Sequence, residues 1–178
     1  AESLASIEKA GTLRDVNMAN LTISPVAYNP VTKKIRLYSR IKVEISYNNS
    51  DIPNTLAMKS KYGSPLFSVA KNTVLNPMPT LRSEFSQNII HYLIIAHPMF
   101  KGCEPLEEFI SWKKRIGYKV TVAYTDDPAV GTTPLEIKNF IKTFYTDATP
   151  DNPAPTFLLL VGDKEQIPTF DGSALNTH

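Results

Sequence analysis

A carboxylate directly follows the most apolar stretch of the chain. Residues 157–161 are five consecutive large apolar side chains, and Gly162 and Asp163 come next. Such a run is typical of a strand that is covered on both faces within a parallel sheet. Ligands bind at the carboxyl ends of such strands, where Gly162 lets the backbone turn and Asp163 brings a negative charge into the crevice. The alternative is that Asp163 accepts hydrogen bonds from the backbone of the following turn or helix.

Three further acids lie close to predicted strand ends. Asp126 and Asp127 follow the strand predicted over 119–124 and are placed to face the same crevice, although paired acids before a proline are also typical of turns. Glu165 lies two residues after Asp163, but loops commonly carry solvated glutamates. We therefore leave Glu165 out of the predicted site.

One cysteine and a nearby histidine have the residue types of a nucleophile and its general base. Cys103 and His97 flank the loop after the strand predicted over 91–97. No activating helix terminus or orienting third group accompanies them, so we interpret Cys103 as a structural thiol. His91 and His178 have no better case for a catalytic role. A single cysteine also excludes an internal disulfide framework and a zinc site built from several thiolates.

Two amphipathic helices are predicted between the three strands. The spacing of apolar residues predicts a helix over 105–116 that ends at Gly117, with Trp112 in the core or at a seam between subdomains. Thr133, Pro134 and Glu136 have the order of a capping box and predict the start of a second helix. The first helix is expected to bury Leu106, Phe109, Ile110 and Ile116, and the second Ile137, Phe140, Ile141 and Phe144. Alternating strands and helices predict a doubly wound α/β unit whose strand order stays open.

The front of the chain has a different pattern. Apolar and polar residues alternate over 35–47, which predicts a half-exposed antiparallel strand. Its predicted partner is 21–28, joined through the turn residues 29–33, as a hairpin at the edge of a β-sandwich. Four prolines interrupt residues 50–88, so this stretch is interpreted as a connector with one short helix.

Composition excludes several classes of protein. The 178 residues include 19 basic and 17 acidic side chains, a formal charge of +2, without the clustered Lys/Arg stripe of a nucleic-acid surface. No run of about eighteen apolar residues predicts a transmembrane span. The first four residues lack the basic start and apolar core of a signal peptide, and removal of a signal by processing stays open.

Several of these stretches together resemble the gingipain family of cysteine peptidases, secreted enzymes of the caspase-like fold. The turn Asn29-Pro30-Val31-Thr32-Lys33 is quite specific, and the strand end Leu160-Val161-Gly162-Asp163 also matches. The lysine-specific branch is the most similar. The other matching stretches are residues 13–16, 28 and 34–38 at the front, and 92–97, 112–113, 117–118, 124–126, 130–133 and 137–138 at the back.

The resemblance implies that the chain is an incomplete part of a zymogen. Residues 1–82 would be the C-terminal part of a β-sandwich propeptide with its linker, and 83–178 the N-terminal part of a caspase-like α/β catalytic domain. The family's nucleophilic cysteine and general-base histidine lie downstream, so this chain alone is predicted to be inactive. Its expected partners are the remainder of the catalytic domain, as a second chain where the zymogen is nicked, and protein or peptide substrates. The implied location is outside a bacterium or on its surface.

Two site assignments depend on the same resemblance. Asp163 matches a calcium ligand of the family, and a carboxylate at a strand end is the hard oxygen donor that calcium prefers. The bond between Arg82 and Ser83 is the predicted activation cleavage site, because exposed connectors are where proteases cut. Lys71 is the second choice.

Two other classes of protein stay open from the sequence. One is a flavodoxin-like binding module that holds a ligand or metal without catalysis. The other is an extracellular component of secretion or assembly machinery, in which the β-sandwich recognises a partner.

Overall fold

The computed structural model describes residues 4–46, 51–67, 73–75 and 89–170. The chain divides into two compact units, residues 1–59 and 60–178. The predicted cleavage bond between Arg82 and Ser83, the second choice Lys71, and His178 all lie outside the described residues.

The first unit contains two antiparallel strand pairs. Strand β1 (Ala5–Leu13) pairs with β2 (Val16–Ile23), and β3 (Val26–Asn29) pairs with β4 (Lys34–Leu37). Each pair is a separate two-stranded sheet. The described strands of this unit therefore form two β-hairpins, of which the sequence predicted the second and not the first.

The turn of the second hairpin is confirmed. The side-chain oxygen Oδ1 of Asn29 accepts hydrogen bonds from the backbone N–H groups of Val31 (3.0 Å) and Thr32 (3.1 Å). Lys33 completes the turn with a φ of 54°. An asparagine side chain that captures the backbone in this way stabilises a tight reversal, which is the reason why turns favour asparagine.

The predicted strand lengths of this hairpin are wrong. Residues 21–23 belong to β2, where Ile23 faces Ala5, and β4 ends at Leu37, whereas the prediction continued to residue 47. Pro25 separates β2 from β3 because proline has no N–H to donate to a ladder. All four residues of β4 are exposed. Period-two alternation predicts which side chains share a face, but it does not determine where pairing stops.

The short helix predicted in the connector is present as α1 (Ile52–Tyr62). The carboxylate Oδ1 of Asp51 accepts a hydrogen bond from the Asn54 N–H at 3.0 Å and caps the helix. Pro53 lies in the first turn, where its missing N–H costs nothing. None of the described helices is long and apolar enough to cross a membrane.

The second unit contains a three-stranded parallel sheet. Its strands are β5 (His91–Ala96), β6 (Lys119–Tyr124) and β7 (Phe157–Val161), in the order β6-β5-β7. Strand β5, the first strand of this sheet along the chain, is thus the central one. The sequence had not determined this strand order. Helices α2 (Glu104–Arg115) and α3 (Pro134–Thr146) form the two crossovers.

Strand β5 is buried on both faces. Leu93 and Ile95 pack in a cluster that contains Ile137 of α3. Ile94 and Ala96 pack in a second cluster, which contains Leu106 and Ile110 of α2. Because successive side chains of a strand point to opposite faces, the two helices cover opposite faces of the sheet. This confirms the predicted α/β architecture, a parallel sheet flanked by helices.

Two burial predictions are wrong within the described part of the chain. The strand β7 was predicted to be covered on both faces, but it is paired only with β5 at an edge of the described sheet, and three of its side chains are 37–44% exposed: Phe157, Leu158 and Leu160. Ile116 is half exposed, since it is the C-cap residue beyond the last turn of α2. Trp112 is 46% exposed and packs against the ring of Phe109, so it does not lie in the core, and its position at a seam between subdomains stays a prediction. Apolar composition predicts burial without identifying which element supplies the cover.

The capping box of α3 is confirmed. Thr133 Oγ1 accepts from the Glu136 N–H at 3.3 Å, and Glu136 Oε2 accepts from the Thr133 N–H at 2.9 Å. These hydrogen bonds hold the pKa of Glu136 below its ordinary value. The first turn of α3 therefore has reciprocal partners for its free N–H groups.

Replacing Thr133 with alanine is expected to lower the free energy of unfolding by about 1 kcal/mol, because the N-cap acceptor is lost. Urea denaturation followed by circular dichroism measures this change. Thr143→Ala on the exposed face of the same helix is the matched control, and it is expected to leave stability unchanged or slightly raised. Equal destabilisation by both changes would contradict the capping role.

Candidate functional site

The carboxyl ends of all three parallel strands meet at one edge of the sheet. Beyond the strands, the His97 N–H donates to the Val161 carbonyl at 3.1 Å, and the Thr125 N–H donates to the Ala96 carbonyl at 3.0 Å. The ladder therefore continues by one residue at this edge. His97, the acids after β6, and Asp163 all start from the same side of the sheet, as the sequence predicted.

Asp163 organises the turn that follows β7. Its Oδ1 accepts from the Glu165 N–H at 2.9 Å, and its own N–H donates to Gln166 Oε1 at 2.8 Å. The Asp163 carbonyl accepts from the N–H groups of Gln166 (3.1 Å) and Ile167 (2.8 Å). The turn contacts that were the alternative interpretation of Asp163 are thus present, and they occupy Oδ1 of the carboxylate.

Gly162 is needed for this turn. Its φ is 146°, and a Cβ atom at this position would lie 2.9 Å from Gln166 Cβ and 3.0 Å from Ile167 Cγ1. An L side chain rarely adopts this φ, and these contacts are closer than ordinary van der Waals distance. Glycine is therefore required at the strand end by both backbone conformation and space.

The described side chains do not by themselves form a calcium site. Among the residues that the structure describes, no three His, Cys, Asp or Glu side chains converge as metal ligands. Asp163 contributes one carboxylate, and calcium takes six to eight oxygen ligands. Calcium at Asp163 stays a prediction, and its remaining ligands would have to be other donors.

Asp126 forms an ion pair instead of an isolated acidic site. Lys101 Nζ donates to Asp126 Oδ2 at 2.6 Å, and the ammonium also lies 5.0 Å from the centre of the Tyr124 ring. The hydrogen bond from Lys101 holds the pKa of Asp126 below its ordinary value. Both charged side chains are about half exposed and line a shallow cavity of about 300 Å³ together with Asp127, Val130 and Phe140.

Asp127 is a turn residue, in agreement with the sequence interpretation. Its Oδ1 accepts from the Ala129 N–H at 2.9 Å. Its carbonyl accepts from the N–H groups of Val130 (2.9 Å) and Gly131 (3.0 Å). The turn directs the buried side chain of Val130 into the core.

Cys103 and His97 have structural contacts. Cys103 is the N-cap residue of α2, so the expectation that no helix terminus accompanies it is wrong. Its side chain makes no capping hydrogen bond and packs against the cluster around Ile94. The His97 Nδ1 accepts from the Met99 N–H at 3.3 Å. These contacts agree with the interpretation of Cys103 as a structural thiol.

Sequence reasoning assigned no role to His91, which is buried at the amino end of β5. Its Nδ1 lies 2.7 Å from the Pro153 carbonyl, and its Nε2 lies 2.9 Å from Thr121 Oγ1. Burial lowers the pKa of His91 from its ordinary value, and the positive charge of Lys119 lowers it further. A histidine at the start of a strongly apolar run was the only sequence signal. His91 joins its own strand β5 to β6 at Thr121 and to the loop at Pro153, at the end of the sheet opposite to Asp163.

The ammonium of Lys113 lies within a cluster of aromatic rings, which the sequence analysis did not predict. Its ammonium lies 4.1 Å from the centre of the Trp112 ring and 5.2–5.3 Å from three other ring centres. Such contacts with ring faces are favourable electrostatically. The other three rings belong to Tyr92, Phe109 and Tyr118.

Replacing Lys101 with methionine is expected to raise the pKa of Asp126, because the carboxylate loses the hydrogen bond that stabilises its charged form. NMR titration of the Asp126 carboxyl carbon measures this change directly. Lys142→Met, on an exposed position of α3, removes the same charge and is expected to leave this titration unchanged. An unshifted Asp126 in Lys101→Met would contradict the assignment.

Comparison with known proteins identifies the family. The propeptide model of peptidase family C25 matches residues 1–85, and the peptidase family C25 model matches residues 85–177. These two consecutive matches identify a propeptide followed by the start of a peptidase domain. The chain belongs to peptidase family C25, which confirms the resemblance to gingipains.

The curated proteins that this chain resembles are gingipains. The chain is 34% identical over 167 residues to Lys-gingipain of Porphyromonas gingivalis, and 30% identical over 166 residues to Gingipain R2 of the same species. Each match covers 93% of this chain, but 10% of the first relative and 22% of the second. The chain therefore spans a small part of the curated relatives. A solved structure described as "Structure of Protease" matches 47% of this chain and 18% of its own, at 39% identity and a TM-score of 0.43.

Proposed function

We propose that this chain is the end of the propeptide and the start of the catalytic domain of a cysteine endopeptidase that cleaves after Lys or Arg. The observation that carries the proposal is the pair of consecutive family matches, which meet at residue 85. The Lys-gingipain and Gingipain R2 relatives support the basic-residue specificity.

The nucleophile and general base of this peptidase lie downstream of residue 178. The one cysteine of the chain, Cys103, packs at the N-cap of α2. Thiolate attack on a peptide carbonyl needs a cysteine, a base and oxyanion donors at one place. The role of the described residues is to build the first three strands of the sheet and to position its carboxyl edge.

The remainder of the catalytic domain is the proposed partner of β7. The apolar side chains of Phe157, Leu158 and Leu160 are exposed on this strand. A parallel strand of this composition is normally buried on both faces. Further elements of the same domain that pack beside β7 would remove this apolar surface from water.

Activation is proposed to occur by cleavage between Arg82 and Ser83. The meeting of the two family matches at residue 85 supports this position, and Arg82 is the basic residue nearest before that point. The domains would then be 1–82 and 83–178.

We also propose that the enzyme is exported to the surface or exterior of a bacterium, and the bacterial origin of its relatives supports this location.

The test uses a longer protein that contains this chain and its natural downstream continuation. Hydrolysis of peptide substrates with Lys or Arg before the cleaved bond is expected, and N-terminal sequencing of the active enzyme is expected to yield Ser83. Cys103→Ala is expected to retain hydrolysis, whereas alanine at a downstream cysteine is expected to abolish it.

Three outcomes would overturn parts of this proposal. Loss of hydrolysis in a folded Cys103→Ala protein would reject the downstream nucleophile. A mature chain that never begins near Ser83 would reject the cleavage site. A continuation without a reactive cysteine and histidine, and without hydrolysis, would favour a binding module or an assembly component instead.

A further inference from the structure

Residues 60–67, here called the anchor segment, are part of both the propeptide match and the compact unit that contains the parallel sheet. They lie within the propeptide match, which extends to residue 85. They also lie within the compact unit formed by residues 60–178, together with the parallel sheet. The end of the propeptide region is therefore structurally a part of the α/β unit.

The first set of contacts involves Tyr62. Its ring stacks on the ring of Tyr145, with 5.2 Å between the ring centres and an angle of 27° between the planes. Its hydroxyl donates to the Thr146 carbonyl at 3.2 Å. Tyr62 thus covers the C-terminal end of α3 and satisfies one of the carbonyl groups that have no partner within the helix.

The second set of contacts joins the anchor segment to the loop before β7. The Ala154 N–H donates to the Lys61 carbonyl at 2.9 Å. The Thr156 hydroxyl donates to Ser64 Oγ at 3.2 Å, and Ser64 is 4% exposed. A buried hydroxyl that is hydrogen-bonded across 92 residues of sequence is costly to separate from its partner.

These contacts lie at the amino edge of the sheet. Tyr145 and Thr146 end the helix that precedes β7, and Ala154 and Thr156 lie within three residues before its first residue. Asp163 lies after the opposite end of β7. Because the strands are parallel, the anchor segment contacts the edge away from the proposed catalytic edge, and leaves that edge uncovered.

We infer that the anchor segment is a separate docking element, which keeps the propeptide bound to the catalytic domain through the amino edge of the sheet after the connector is cut. The inference rests on the proposed function in naming the two parts propeptide and catalytic domain. The contacts themselves require no peptidase activity. The surface that receives the segment is the end of α3 together with residues 153–156.

The test begins with the full chain carrying a recognition sequence for a site-specific protease within residues 76–88. After cleavage under native conditions, both pieces are expected to co-elute in gel filtration. Tyr62→Ala combined with Ser64→Ala is expected to accelerate dissociation at least about tenfold, since a ring pair and two hydrogen bonds are lost. Leu56→Ala, an exposed position on α1, is the matched control and is expected to keep the pieces together.

A second variant keeps the test decisive if the double variant does not fold. Tyr62→Phe retains the ring and removes the hydrogen bond to Thr146, so dissociation is expected to be a few times faster, with an unchanged circular dichroism spectrum. Separation of the unmodified pieces, or equal retention in all folded variants, would overturn the inference. If the two cleaved pieces stay bound but the longer protein has no peptidase activity, the proposed function alone is rejected. If the longer protein is active but the two pieces separate, the docking role of the anchor segment alone is rejected.

Discussion

Replacing His91 with leucine is expected to lower the free energy of unfolding by about 2–3 kcal/mol near neutral pH. The side chain is fully buried and forms hydrogen bonds with the Pro153 carbonyl and the Thr121 hydroxyl. Leucine removes both bonds and leaves the buried Pro153 carbonyl and the partly buried Thr121 hydroxyl without this partner. Each lost bond costs about 0.5–1.5 kcal/mol, and an unsatisfied buried group costs about 1–3 kcal/mol.

The same residue is expected to make stability depend on pH. Burial holds the folded-state pKa of His91 below the ordinary value of 6.5, so the folded protein binds its proton less readily than the unfolded chain does. The contribution of His91 to the free energy of unfolding is therefore fully present above pH 6.5. It falls as the pH drops below that value and levels off below the folded-state pKa.

Urea denaturation at several pH values measures both effects. The His91→Leu protein is expected to be less stable near neutral pH and to lack the part of the acid-side decline that His91 causes. His97→Leu replaces a partly exposed histidine at the other end of β5 and is expected to lower the stability near neutral pH much less than His91→Leu does. An unchanged pH profile in His91→Leu would contradict the buried neutral histidine.

Replacing Ile94 with alanine is expected to cost about 3–4 kcal/mol, within the range measured for large-to-small changes in protein cores. Ile94 is fully buried on the central strand, in a cluster that includes Leu106 and Ile110 of α2. Removal of its outer carbons leaves a space between the sheet and α2, which the packed neighbours fill only partly.

Leu158→Ala is the matched comparison. Leu158 lies on the neighbouring strand β7 but is 44% exposed, so its truncation removes less buried surface and leaves no enclosed cavity. We expect a cost below about 1.5 kcal/mol in this chain. Thermal or chemical denaturation of both variants measures the difference. Equal costs for Ile94→Ala and Leu158→Ala would contradict the observed strand order, with β5 in the centre and β7 beside it.

The local elements and the family could be predicted from the sequence. The turn at Asn29, the capping box from Thr133 to Glu136, and the end of α2 at Gly117 all formed as predicted. Each of these depends on contacts between residues a few positions apart. Their chemistry is therefore visible in a short stretch of sequence. The alternation of apolar runs likewise predicted the α/β unit, because strand and helix periods differ.

The tertiary fold established which residues contact each other across long separations in the sequence. It placed β5 in the centre of the sheet, buried His91 against Pro153, and joined Tyr62 to Thr146 across 84 residues. It also turned Asp126 from a candidate acid into the partner of Lys101. A strand's apolar pattern is the same at the centre and at an edge. The identity of its neighbours depends on how the whole chain packs, which no local pattern specifies.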